Sequence, residues 1–211
     1  MSEPILVLGV GNILWADEGF GVRCVEALAD GYDLPDHVSV VDGGTQGLYL
    51  VDLFRSHSRV IIFDAVDFSD APGSMRIVRD DDIPAFVAGR KVSLHQAGLQ
   101  DVIACAKLLG GCAEEMLLIG VQPVELEDYG GSLRPAVKAM VPVAVEQAVE
   151  QLNAWGVPVS RRDQPDGGGV HDPALGMAAY EAGRPGPDAA CRYGDGRLVW
   201  AAPPQPETAD A

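Results

Sequence analysis

Basic residues are scarce: 15 Lys and Arg stand against 31 Asp and Glu, a formal charge of −16. Such a chain repels nucleic-acid backbones and anionic membrane surfaces, so neither is expected as a partner. The acidity suits a protein kept soluble in the cytoplasm. Cysteine is thin as well. Its four residues (Cys24, Cys105, Cys112, Cys191) include no C-x-x-C pair and fall far short of a secreted disulfide framework, which fits reduced thiols. No stretch approaches the roughly 20 apolar residues of a membrane span. The N-terminal "MSEPILVLGVGN" has no basic leader, so no signal peptide is expected either. Nucleophile signatures are also missing. Ser56-His57 lacks a G-x-S-x-G setting, Ser93 lies too close in sequence to His95 to pair with it, and Cys112 follows a Gly-Gly break with no histidine beside it.

What the chain does carry is alternation. Short branched-apolar runs at 5–10, 38–44, 59–67 and 115–123 read as buried strands, and 74–80 as a more polar one. Helical spacing is seen at 19–31, 45–57, 95–111 and 135–156, with Pro142 either kinking the last segment or marking its true first turn. Strand and helix in turn predict an α/β fold: a three-layer sandwich, with a twisted, mainly parallel sheet and helices on both faces. Composition shifts near Val159 to Gly- and Pro-rich sequence such as "PDGGGVHDP" and "GRPGPD". The expected organisation is therefore a domain at 1–158 and a flexible tail at 159–211, with "RYGDGRLVW" (192–200) as a short docking element or hairpin.

The loop "GVGNILWADEGFGVR" (9–23) follows the first strand and starts like a dinucleotide fingerprint. Gly9 and Gly11 fit G-x-G-x-x-G, but Leu14 stands where the third glycine belongs. Asp17 and Glu18 would then repel a phosphate from the helix N-terminus that follows. No G-x-x-x-x-G-K-[ST] loop occurs, so a nucleotide-binding module is a weak alternative. Acids in a first helical turn also fit simple compensation of the macrodipole. Two further residues bear on the choice. Asp64 closes the third strand, "VIIFD", at the carboxyl edge of the sheet, where α/β proteins bind ligands. It fits a turn cap or a site carboxylate. His95, in "SLHQAG", opens a helix after a long connection, whereas His37 and His57 lie in polar connections and His171 in the tail. Glu18, Asp64 and His95 together make two carboxylates and an imidazole, a donor set suited to Ni, Zn, Mn or Cd with open positions.

"LVLGVGNILWADEGFGVRCVEAL", "VDGGTQGLYLVDLF", "VIIFDAVDF", "SLHQAGLQDVI" and "LLIGVQPVELE", in that order over about residues 4–156, strongly resemble the maturation proteases of nickel–iron hydrogenases, most of all the branch serving uptake hydrogenases. The resemblance implies an α/β sandwich and an endopeptidase that removes a short C-terminal extension from the hydrogenase large-subunit precursor after nickel insertion. It places the metal-binding and catalytic positions on Glu18, Asp64 and His95, with Glu18 rather than Asp17 as the matching acid. The nickel is expected to arrive on the precursor rather than to be held permanently, and the protein to work as a cytoplasmic monomer. Hydrolysis driven by the metal and hydrolysis driven by Glu18 or Asp64 as general base both remain open. Gly43-Gly44-Thr45 is expected as a plain turn or as a source of N–H groups beside the site. A non-proteolytic nickel-binding assembly factor is a further alternative, because the same three residues suffice merely to hold metal.

Overall fold

In the computed structural model, which describes residues 3–84, 96–164 and 169–184, the all-apolar run Ile5–Val10 forms β1, with every residue buried. A strand without a solvent-facing position belongs inside a sheet covered on both faces. β1 pairs in parallel with β3 (Val38–Gly44) on one side and β4 (Arg59–Ala65) on the other. β4 pairs in parallel with β6 (Glu115–Val121), and the more polar β5 (Met75–Arg79) closes that edge antiparallel to β6. The order is β3-β1-β4-β6-β5, mainly parallel as the alternation predicts.

Side chains alternate between the faces, so each strand feeds two cores. Ile5, Val7, Ile61 and Phe63 meet Phe20, Val25 and Leu28 of α1 (Phe20–Gly31) and Val141, Val145 and Leu152 of α5 (Met140–Ala154). Leu6, Leu8, Val60 and Ile62 meet Phe54 of α2 (Val51–Ser56) and Leu99, Val102 and Ile103 of α3 (Gln96–Leu108). This is the three-layer arrangement. The last helical pattern breaks at Ala139, between α4 (Pro135–Lys138) and α5. Pro142 then falls in the first turn of α5, where its missing N–H leaves no bond unmade.

The glycines after β1 set how closely α1 approaches the sheet. A Cβ on Gly21 would lie 2.2 Å from the Phe63 carbonyl oxygen and 2.3 Å from that of Val10. Both atoms are backbone and cannot yield. Gly21→Ala is therefore expected to destabilise the protein by about 1–3 kcal/mol or more, read from a urea transition with an unchanged slope.

Beyond Val159 the chain continues along this framework. β7 (Ser160–Arg161) pairs antiparallel with β2 (Tyr32–Asp33). Asp172 caps a 3-10 turn at Pro173–Leu175, and α6 (Met177–Gly183) follows. Arg23 of α1, 3% exposed, holds this arm. Its guanidinium donates to Glu26 Oε2 (2.7 Å) and to the Leu175 carbonyl (2.6 Å) and stacks over the Tyr180 ring. Farther along, Lys138 Nζ and Ser132 Oγ donate to the Glu181 carboxylate at 2.7–2.8 Å. Residues 192–200 lie outside the described residues. Among those described, no helix is long and apolar enough to cross a membrane.

The Lys138 and Ser132 bonds hold the Glu181 carboxyl below its ordinary 4.5. A depressed carboxylate contributes docking strength that is complete above about 4.5 and is lost as pH falls through the lower folded value. Hydrogen exchange at the α6 amides, corrected for the intrinsic rate, is expected to accelerate as pH drops below 4.5, and Glu181→Gln to remove most of that dependence.

Candidate active site

From β1 the chain first moves outward to β3, then returns to the other side of β1 as β4. The strand order therefore reverses between β1 and β4, and their carboxyl ends open a crevice, the usual ligand position in such sheets. Both sequence-predicted acids of the described region stand there: Glu18 in the turn after β1, Asp64 at the next-to-last position of β4.

The turn that presents Glu18 is tightly made. Gly11 has φ +132°, and a Cβ on it would lie 1.8 Å from the Glu18 carbonyl oxygen, which accepts the Asn12 N–H. Glycine is needed here for close backbone approach, the property that first suggested a phosphate loop. Ala16–Gly19 is a 3-10 turn, and Ala16 is buried with φ +41°, a left-handed conformation uncommon for a residue with a Cβ. Such strain persists only where the surroundings over-determine it.

Asp17 supplies the restraint. It is fully buried; one carboxylate oxygen accepts the N–H groups of Val124 (2.8 Å) and Glu125 (2.9 Å), the other that of Arg134 (2.6 Å). The Gly130 N–H donates to the Leu14 carbonyl, and Trp15 packs edge-on against Tyr129. Asp17 is thus committed to backbone, while Glu18 is the acid whose charge reaches Asp64.

Asp64 is 5% exposed, and its Oδ2 is buried with no hydrogen-bond partner among the described residues. Burial pushes its carboxyl well above the ordinary carboxylate range; a backbone bond from Ala65 opposes the rise and the Glu18 charge adds to it. An orphaned buried oxygen beside a second carboxylate is poorly placed for packing and well placed to receive a cation. His95 lies outside the described residues, and among those described no three His, Cys, Asp or Glu side chains gather round one point.

Two residues here were not singled out from the sequence. Gln122, 8% exposed just past β6, accepts the N–H groups of Phe68 and Asp70 and donates to Asp67, fixing the loop that leaves Asp64. A polar residue ending the apolar run "LLIGV" was its only trace. Asp42 accepts the Gly44 N–H, whose carbonyl in turn accepts that of Gly11. Gly43 and Gly44 end β3 and the turn begins at Thr45; the Gly44 donor is already used, and the segment borders a cleft of about 150 Å³ with Gly11, Asn12 and Ile13.

Fold and site together define an α/β protein with a buried acidic ligand position where its strand order reverses. The sequence profile of the hydrogenase maturation proteases matches residues 22–151. The hydrogenase expression/formation protein HupD of Rhodobacter capsulatus is 56% identical over 93% of each chain. The hydrogenase 2 maturation protease of Escherichia coli is 44% identical over 80% of this chain and 99% of its own. The solved structure of the hydrogenase maturating endopeptidase HybD from E. coli superposes with a TM-score of 0.72 at 44% identity, covering 75% of this chain and 98% of that one. The chain belongs to the hydrogenase maturation protease family, and the enzyme class is endopeptidase.

Proposed function

We propose that this endopeptidase removes the C-terminal extension of a nickel–iron hydrogenase large-subunit precursor after nickel insertion, and that Glu18, Asp64 and His95 read the nickel which the precursor carries. The reading is supported by family membership and, in this molecule, by one observation above the others: the buried Oδ2 of Asp64, which has no partner among the described residues and lies within the field of the Glu18 charge. Without a cation that oxygen is costly to ionise. A divalent ion presented by the substrate draws its proton off and holds both carboxylates as ligands. Selection of one peptide bond then needs no deep side-chain pocket, because loaded and empty precursors differ in affinity. Bound nickel supplies Lewis acidity beside the scissile carbonyl. The alternative route has one of the two carboxylates, Glu18 or Asp64, stay off the ion and take a proton from the attacking water as general base. The protein acts as a monomer in the cytoplasm, and no nucleic acid or membrane takes part.

Mass spectrometry of nickel-loaded and nickel-free precursor, each incubated with the protein, tests this. Loss of a C-terminal peptide from the loaded form alone is expected. Equal cutting of both forms would remove nickel recognition, and an unchanged mass in both would leave a nickel-binding assembly factor as the better description.

A further inference from the structure

The turn bearing Glu18 leans on the long connection between β6 and α4, residues 122–134, which among the described residues contains no helix or strand of its own. A connection of that kind is positioned by what packs on either side of it. Its inner side meets the site turn through Asp17, Leu14 and Trp15, as described. Its outer side meets the arm. Tyr180 Oη donates to the Gly131 carbonyl at 3.4 Å, Ser132 Oγ donates to Glu181 at 2.8 Å, and Lys138, just past the connection, bonds both Glu181 oxygens. Ser132 and Leu133 are buried between the two layers, and the Arg134 N–H that follows is the one bonded to Asp17.

We propose that α6 is a brace for the site turn, with Tyr180 and Glu181 as positioning residues that act on Glu18 through 128–134 and Asp17. The proposal rests on the reading of Glu18 given above for its catalytic consequence, but not for its mechanical one. A single part-exposed ion pair holds little. The set of contacts, anchored by the buried Arg23, is what presses the connection against the strained Ala16 turn. The brace lies outside the segment that the family profile matches. The family profile ends at residue 151, and the E. coli protease, matched over 98% of its own length, spans 75% of this chain. The R. capsulatus relative matches 93% of it. Loosening α6 should therefore slow the reaction rather than abolish it.

The test uses the full chain as Tyr180→Ala/Glu181→Ala and as the charge swap Lys138→Glu/Glu181→Lys, with precursor cleavage and amide exchange measured on each. The double alanine variant is expected to lose about fivefold or more in kcat, with or without a rise in KM from a looser hold on the nickel, since a misplaced group costs rate. Its Val124, Glu125 and Arg134 amides should exchange several-fold faster, and the swap should recover most of both effects. Unchanged exchange at those three amides overturns the brace, as does a rise in KM alone, which would make the arm a substrate contact. Absence of cleavage by the wild-type protein would count against the proposed function, while the exchange measurement would still decide the brace.

Discussion

Asp64→Asn is expected to stop precursor cleavage while raising the melting temperature of the protein. The two effects share one cause. Asp64 is 5% exposed, and burial raises its carboxyl well above the ordinary range, with the Glu18 charge adding to the rise. Between the ordinary and the raised value the folded chain holds a proton that the unfolded chain has released. Stability therefore falls as pH climbs through that window, at up to about 1.4 kcal/mol for each unit of separation. Asparagine does not titrate, so the variant escapes this loss. Its gain should be near zero around pH 4 and a few degrees in Tm at neutral pH. The amide brings two N–H donors where the protonated acid has one O–H, so the extra unsatisfied donor offsets part of that gain. Cleavage should fall by roughly 10²–10⁴-fold, the scale of losing a group that works on the reacting atoms. Normal cleavage by the variant would take Asp64 out of the site, and a Tm below wild type would mean that the ionised carboxylate is satisfied by a group of the protein.

The sheet and its covering helices were legible because their residues leave no other choice. Ile5–Val10 offers no polar position, so it cannot lie at a solvated edge, and the helices on either side follow from its two apolar faces. The acidic crevice was legible for the opposite reason, since Asp64 interrupts β4 where packing gains nothing from a charge. Three things were not. The antiparallel sense of β5 depends on which edge of the sheet is free, and its own residues do not encode that. The docking of 173–183 is held largely by one residue, Arg23, an arginine beside the apolar stripe of α1 that the arm itself buries. Composition near Val159 records only glycine and proline. The role of Asp17 is the third: the family resemblance named Glu18 as the site acid, but nothing in the sequence said what its neighbour does. Adjacent acids look alike in sequence, and what separates them lies more than 100 residues downstream, at Val124, Glu125 and Arg134.

The division of labour between Asp17 and Glu18 predicts opposite outcomes for neighbouring substitutions. Glu18→Gln should remove cleavage and leave the unfolding transition nearly where it was, because the side chain is only partly buried and its work is on the substrate. Asp17→Ala should do the reverse in emphasis. It strips acceptors from three backbone N–H groups, each costing about 1–3 kcal/mol when buried and unpaired. Val124 is 48% exposed, so water recovers part of that, and a net loss of about 3 kcal/mol or more is expected. Asp17→Asn should fall between the two. The wild-type carboxylate divides its oxygens between Val124 and Glu125 on one side and Arg134 on the other, and an amide turns an N–H donor toward one of those groups. Cleavage should weaken along the same series, because the connection that Asp17 holds is what keeps Ala16 in its left-handed conformation and Glu18 over the crevice. Chemical denaturation and single-turnover cleavage on the same preparations separate the acids. If Asp17→Ala matches wild type in stability, the three hydrogen bonds do not restrain the turn. If it is destabilised yet cleaves at the wild-type rate, Glu18 does not need the restraint.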